Sequence, residues 1–203
     1  GDSGDGDAPA ANEAPGVSSN TAGRATGEEP KRGGTLRVGI NLDPRSSDPH
    51  VGTGGADHQR LYPIYDNLVT YDSKGQLDPS LSLAEKWEQF DDRIVLSLRQ
   101  GVTFQDGAPF SAEDVKWNLE RQLDPATKAT DRPNLLVIDR IEVNGPREVV
   151  LRLKEPNAPL LANFGERAGM MISRTTYDKI GKDEFGRRGV GTGPFLLKEW
   201  ASD

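Results

Sequence analysis

Leu98-Arg99-Gln100-Gly101-Val102-Thr103-Phe104-Gln105-Asp106-Gly107-Ala108-Pro109-Phe110-Ser111-Ala112-Glu113-Asp114-Val115 is the stretch on which the fold is decided. A strand enters it at Leu98, and Phe104 to Gly107 carries the chemistry of a tight turn. Asp106 can accept from its own downstream backbone, and Gly107 supplies a positive φ. Gly107-Ala108-Pro109 interrupts any regular pattern. Ser111 then stands where a helix needs an N-cap, with Asp114 three residues on as a capping-box variant. Val115, Trp117, Leu119 and Leu123 give that helix its apolar positions, so it is predicted to run to about Leu123.

Working outward from the helix, Ile138–Asn144 and Glu148–Leu153 alternate around Gly145-Pro146, which predicts a hairpin. Lys86–Phe90 and Ile94–Leu98, joined by Asp91-Asp92, predict another. Between these and the start of the chain, Leu77–Ala84 suits a short helical turn, Asp72-Ser73-Lys74-Gly75 a turn, and Leu68–Tyr71 a strand. Ala56–Asn67 has helical periodicity but contains Pro63, which should kink or shorten it. Thr35–Ile40 alternates like a half-buried strand, and a polar loop from Asn41 to Gly55 follows it. Towards the other end, Leu160–Phe164 is predicted to be a short helix and Met170–Ile172 a strand. Ser173 should cap a helix to Ile180, and Phe195–Trp200 should be a final strand. Trp87 and Trp117 lie in apolar-periodic segments and are expected in the core. Strands and helices mix without regular βαβ repetition, which gives an α/β or α+β arrangement.

The bulk numbers exclude several classes. The chain has 203 residues, 34% hydrophobic, no cysteine and a net charge of −7. An acidic chain without a basic stretch makes a poor phosphate-binding surface, so no nucleic-acid partner is expected. Without cysteine there is neither a disulfide nor a thiolate metal site, and no apolar run approaches the roughly 20 residues of a membrane span. Residues 1–32 are dominated by Gly, Ser, Ala, Pro and Asp. Such a segment buries too little to offset chain entropy and is expected to be a disordered tether, with the folded portion at 33–203.

Several segments, in order, resemble the extracellular solute-binding proteins of family 5, which include oligopeptide, dipeptide and nickel binders. Gly33-Gly34-Thr35-Leu36-Arg37-Val38 is similar to the family's opening strand and Asp48-Pro49-His50 to its Asp-Pro turn. Ile64-Tyr65-Asp66-Asn67-Leu68-Val69 resembles its Tyr-Glu-x-Leu segment, with Asp66 in place of Glu. Leu81–Glu88 resembles the Leu-Ala-x-x-Trp stretch. The opening quotation resembles Arg-Lys-Gly-Val-x-Phe-His-Asp-Gly-x-Pro followed by Thr-Ala-x-Asp-Val. Gln100 replaces Lys there and Gln105 replaces His, both read as surface changes. Gly191-Thr192-Gly193-Pro194-Phe195 is similar to Gly-Thr-Gly-Pro-Tyr.

The resemblance implies an α/β fold of the type II periplasmic-binding-protein kind, two-lobed in the full protein. This chain would hold part of the first lobe and its inserted subdomain, truncated at its carboxyl end. It implies the substrate-binding component of an ABC importer, a monomer that takes a peptide or small solute to a membrane permease. The location would be periplasmic or cell-surface, with a lipid anchor preceding Gly1. The rival readings are a chemosensory protein on the same fold and an envelope hydrolase.

The loop leaving the first strand is the best candidate for the cleft, since α/β proteins place ligands at the carboxyl ends of strands. Asn41, Leu42, Asp43, Arg45, Ser46 and Asp48 are its candidate ligand-binding residues, with Gly191, Thr192 and Gly193 as a cleft-edge turn. Gly189–Gly193 does not suit a phosphate loop, because Pro194 and a strand follow it rather than a helix. His50 and His58, with Asp48 and Asp57 near, fall short of a convergent ligand set and are read as surface or loop residues. Neither metal nor cofactor is expected. Glu113 and Asp114 are adjacent on a helix and do not face each other, and no Gly-x-Ser-x-Gly elbow is present, so no catalytic residue is expected.

Overall fold

The computed structural model describes residues 33–39, 46–51 and 59–200, which leaves the expected tether at 1–32 outside the described residues. The chain divides into a unit spanning 1–38 and a unit spanning 39–203. In the first, residues 33–38 carry no regular structure, and Leu36 and Val38 are 88% and 70% exposed. The strand expected over Thr35–Ile40 is therefore not formed in its described part. Alternation makes a stable strand only where a partner supplies the ladder hydrogen bonds, and none of the described ladders includes these residues.

The second unit is organised by four strands: β1 (Ala84–Gln89), β2 (Arg93–Leu98), β3 (Ile138–Val143) and β4 (Glu148–Leu153). All pair antiparallel in the order β1-β2-β4-β3, so both expected hairpins form and β2 zips them together through β4. Alternation sets which face is inward. Ile94, Leu96 and Leu98 of β2 are buried, and Leu96 stands opposite Val149 while Ile94 stands opposite Leu151.

Helix α1 (Ala112–Leu123) covers this face with Ala112, Val115 and Leu119. Its start is as the sequence predicts: the Ser111 N–H donates to Asp114 Oδ2 at 2.9 Å, completing a capping box. Shorter helices follow at α2 (Arg132–Leu135) and α3 (Leu160–Asn163), and then α4 (Arg174–Phe185). Ser173 Oγ accepts from the Thr176 N–H at 3.2 Å, and Gly181, at φ 77°, breaks α4 one residue after the expected end. Trp87 packs on the main core, and Trp117 on a smaller cluster of Leu61, Ile64, Tyr65, Met170, Ile172 and Phe185.

Four further expectations are corrected. Of Ala56–Asn67, only residues 59–61 are helical among the described ones, and Pro63 lies in the turn that follows. Leu68–Tyr71 and Met170–Ile172 form isolated bridges instead of strands, Asn67 to Met170 and Tyr71 to Leu77. The reason lies in α1. Its Asn118 carboxamide takes both backbone groups of Ile172, at 3.0 Å each, and Gln122 Nε2 donates to Ala168 O at 3.1 Å. Side chains thus satisfy an extended segment that would otherwise require a neighbouring strand. Phe195–Trp200 is likewise irregular, with Phe195 and Leu196 66% and 71% exposed.

Leu96 is fully buried and Leu81 is 53% exposed. Leu96→Ala is expected to cost about 2–5 kcal/mol in urea unfolding, whereas Leu81→Ala stays within about 0.5 kcal/mol. Similar losses for the two would mean that the sheet face is not the core.

Candidate functional site

The short segment Ser47–His50 is sunk between α1, the Met170 strand-like segment and the end of α4. Ser47, Asp48 and His50 are all almost fully buried. The Ser47 N–H donates to Gly186 O at 2.7 Å, its Oγ donates to Phe185 O at 3.0 Å, and the Gly189 N–H donates to that Oγ at 2.9 Å. Tyr65 Oη donates to Ser47 O at 2.7 Å, and burial pushes the phenol well above its ordinary range.

Arg121, on the last turn of α1, reaches into the same place. Its Nη2 forms an ion pair with Asp48 Oδ2, Nη1 donates to Asp48 Oδ1 at 3.3 Å, and the guanidinium lies 4.5 Å from the Tyr177 ring centroid. Nη1 also approaches His50 Nδ1 at 2.6 Å, while His50 Nε2 lies 2.9 Å from Met170 O. Those partners assign the tautomer: Nε2 carries the proton and donates to the carbonyl, while Nδ1 accepts from the guanidinium. Burial is the main cause that lowers the His50 pKa from 6.5 to about 4. The Asp48 carboxylate acts against it and Arg121 reinforces it. Of the reading of His50 as a surface or loop residue, the turn position holds and the surface position does not, since both ring nitrogens are paired inside the protein.

Gly189-Val190-Gly191-Thr192-Gly193 passes against the other side of Tyr65. A Cβ at Gly189 would lie 2.0 Å from Tyr65 Oη, one at Gly191 2.4 Å from Ile64 O, and one at Gly193 2.7 Å from Pro63 O. Alternate residues of an extended segment face one way, so glycine at every second position lets this backbone lie directly on the 63–65 turn. Gln105 fastens it there. Its Nε2 approaches Gly193 O and Phe195 O at 2.8 Å and Ile64 O at 3.2 Å, while its Oε1 accepts from the Gly191 N–H at 3.3 Å. Gln105 is half-buried and central, which corrects its reading as a surface change; Gln100 is exposed. Asp106, at the tip of the same turn, accepts from Ala108 N–H at 3.0 Å as expected. It also accepts from Ser173 Oγ at 2.5 Å and Thr176 Oγ1 at 2.6 Å. Partial burial works against its ionisation, but these hydrogen bonds outweigh it and hold the carboxyl below its ordinary pKa.

Of the sequence candidates, Asn41, Leu42, Asp43 and Arg45 lie outside the described residues, as do Asp57 and His58. Ser46 is half-buried and its Oγ accepts from the Asp48 N–H at 3.0 Å. The Asp48 carboxylate is committed to Arg121 and to the His50 N–H at 3.0 Å. Thr192 Oγ1 donates to Asp66 Oδ2 at 2.9 Å, and through Ser47, bonded to both Gly189 and Tyr65, the glycine segment and the 46–50 segment meet around Tyr65. A cavity of about 760 Å³ opens beside them, bounded by Gln105, Lys179, Arg187, Gly189, Val190 and Trp200. Sequence reasoning missed Arg121, Tyr65 and Gln105. The signal it had was Arg121 three and four residues after Asn118 and Trp117, on a side of α1 turned away from Ala112, Val115 and Leu119. Among the described residues no group of three His, Cys, Asp or Glu is placed to hold a metal, and no helix is long and apolar enough to cross a membrane.

Comparison with known proteins fits this architecture. The model of the bacterial extracellular solute-binding proteins, family 5, matches residues 78–203. The glutathione-binding protein GsiB of Shigella flexneri is 41% identical over 168 residues, covering 81% of this chain and 32% of GsiB. The probable D,D-dipeptide-binding periplasmic protein DdpA of Escherichia coli is 30% identical over 176 residues, covering 81% and 33%. The chain thus spans about a third of the length of the curated relatives it matches. Among solved structures, the ABC transporter-associated periplasmic binding protein DppA of Helicobacter pylori, in complex with the peptide STSA, superposes with a TM-score of 0.70. It is 29% identical, over 79% of this chain and 36% of that one. The fold is accordingly of the type II periplasmic-binding-protein kind, of which this chain holds part of a lobe.

Two outcomes are expected from the buried network. Removing one partner leaves the other charge uncompensated, so Asp48→Ala or Arg121→Met should each cost about 3–5 kcal/mol in urea unfolding. The double variant should cost less than the two losses added, and strict additivity would show that the pair does not interact. For His50, folding lowers the pKa, so the unfolded chain binds the extra proton. Stability is complete above about pH 6.5 and falls as pH drops towards 4, by up to about 3 kcal/mol. His50→Gln should flatten the dependence of the urea midpoint on pH across that window; an unchanged slope would exclude His50 as its source.

Proposed function

The chain belongs to the bacterial extracellular solute-binding proteins of family 5, and from that premise we propose that it serves as substrate-binding component of an ABC importer. It captures short peptides outside the cytoplasmic membrane and hands them to the membrane permease. The observation that carries this reading is the family match over 78–203, joined to relatives named for glutathione and D,D-dipeptides. Both are small peptides with free carboxylates and amide backbones.

In this reading Asn41, Leu42, Asp43, Arg45 and Ser46 line the solute cleft, and Gly191, Thr192 and Gly193 form its edge. Asp48 supports them from below through Arg121 instead of touching solute, because its carboxylate is already spent. Backbone groups of an extended loop can pair with a peptide as an added strand, which suits a family of ligands varying in side chain. Residues 1–32 act as a spacer that holds the binding unit at a lipid-anchored membrane terminus. The protein works as a monomer, without catalysis, and closure of its lobes on the solute provides the state that the permease reads.

Thermal unfolding of the full-length protein with glutathione, D-Ala-D-Ala and tri-alanine tests the assignment. A ligand that binds only the folded form, at a hundredfold excess over its Kd, adds about 2.7 kcal/mol. A raised midpoint with one of these peptides, which is recovered intact afterwards, is the expected result. No shift with any of them, after bound solute has been removed by unfolding and refolding, would overturn the peptide assignment.

A further inference from the structure

A second cavity, of about 570 Å³, opens where α2 leads into β3 and β4 runs into α3, away from the glycine segment. Its volume lies within the range of small-molecule sites. Asn134, Asn157 and Asn163 line it, together with Pro133, Leu136 and Pro159. None of the three side-chain carboxamides makes a hydrogen bond to another described residue, although Asn157 and Asn163 are half-buried.

The backbone that carries them is fixed. The Lys154 N–H donates to Val137 O at 2.9 Å, and Gln89 Nε2 approaches Asn157 O at 2.9 Å and Ala158 O at 3.2 Å. Lys154 Nζ donates to Leu136 O at 2.7 Å, so the one cation at the rim is engaged, and Glu155 beside it cancels its charge. Three carboxamides without a partner among the described residues, two half-buried and Asn134 exposed, thus border a cavity with no net charge on a backbone that is hydrogen-bonded in place.

We infer that this cavity is a binding site for a neutral saccharide. Each carboxamide offers two donors and an acceptor oxygen with two lone pairs. A sugar hydroxyl both donates and accepts, so a ring bearing several hydroxyls can use both ends of all three groups. An anion would need an unengaged cation, and a cation would meet Glu155 alone. Pro133, Leu136 and Pro159 offer apolar surface to the C–H face of a sugar ring. No aromatic platform lies among the lining residues, so affinity is modest and comes from the carboxamides.

The test is amide chemical-shift mapping of the whole protein with N-acetylglucosamine, cellobiose and, separately, tri-alanine. The expected result is saccharide-dependent shifts confined to 133–137 and 154–163, persisting when a peptide occupies the solute cleft. Asn157→Leu with Asn163→Leu should weaken saccharide binding at least about tenfold while leaving the thermal midpoint and any peptide-induced shift in place. Three results would each overturn the proposal: no shifts with either saccharide, shifts that map elsewhere, or shifts here with tri-alanine alone. Because the peptide response is read separately, failure here leaves the transport assignment standing, and failure there leaves this site standing.

Discussion

Arg121 is the buried charge around which the second unit closes. It sits on the last turn of a helix whose first turn is fixed by the Ser111–Asp114 capping box, so the position of its guanidinium follows from where α1 begins. Taking a guanidinium out of water costs several kcal/mol unless charge and hydrogen bonds replace the lost solvent. Asp48 supplies the charge, His50 Nδ1 an acceptor and Tyr177 a ring face. The partners come from two parts of the chain, the 47–50 segment and α4, and each brings further contacts. His50 ties in Met170 O, while Ser47, next to Asp48, holds Tyr65 Oη, Phe185 O and the Gly189 N–H. The pair therefore fixes where four segments meet, which an apolar contact of the same size would do with less directional constraint.

Much of this architecture was legible because it is local. The two hairpins, the capped helix and the Asp106-Gly107 turn each depend on residues within a few positions of one another. Alternation, capping and turn chemistry describe such elements well. The failures among the strands share one cause. Thr35–Ile40, Leu68–Tyr71, Met170–Ile172 and Phe195–Trp200 all have the composition of strands, but a strand is completed by a partner that its own sequence does not specify. For Met170–Ile172 side chains, Asn118 and His50, take up backbone groups, and nothing in its own alternation announces them.

The site was legible in part. The glycine spacing at 189, 191 and 193 was visible, yet it read as a turn. Its meaning depends on Tyr65 and the 63–65 backbone lying underneath, a contact more than a hundred residues away in sequence. Gln105 looked like a neutral exchange for the family's histidine, because the turn around it needs neither. Only the fold brings the carbonyls of Ile64, Gly193 and Phe195 to its Nε2. Arg121 had a signal, its place three and four residues after Asn118 and Trp117, on a helix side away from Val115 and Leu119. Charged residues are so seldom buried that the pattern points outward unless a partner is already known.

These pairings limit how this part of the protein can meet a solute. Asp48, His50, Gln105 and Asp106 have spent their side-chain polar atoms on the protein itself, and Arg121 keeps only its buried Nε without a partner among the described residues. A group so engaged grips a ligand only by giving up a buried partner, which costs more than the new contact returns. The wall built on this scaffold therefore acts through shape and backbone, held rigid from behind by the ion pair. Rigidity has its own value in a protein that closes around its ligand, since a preformed wall leaves less ordering to be paid from the binding free energy. In the proposed transport role, selectivity for the charged ends of a peptide falls to side chains that this scaffold leaves free, or to the rest of the full-length protein. Relatives that share the scaffold can differ in solute without any change to the Asp48–Arg121 pair or to the glycines lying on Tyr65.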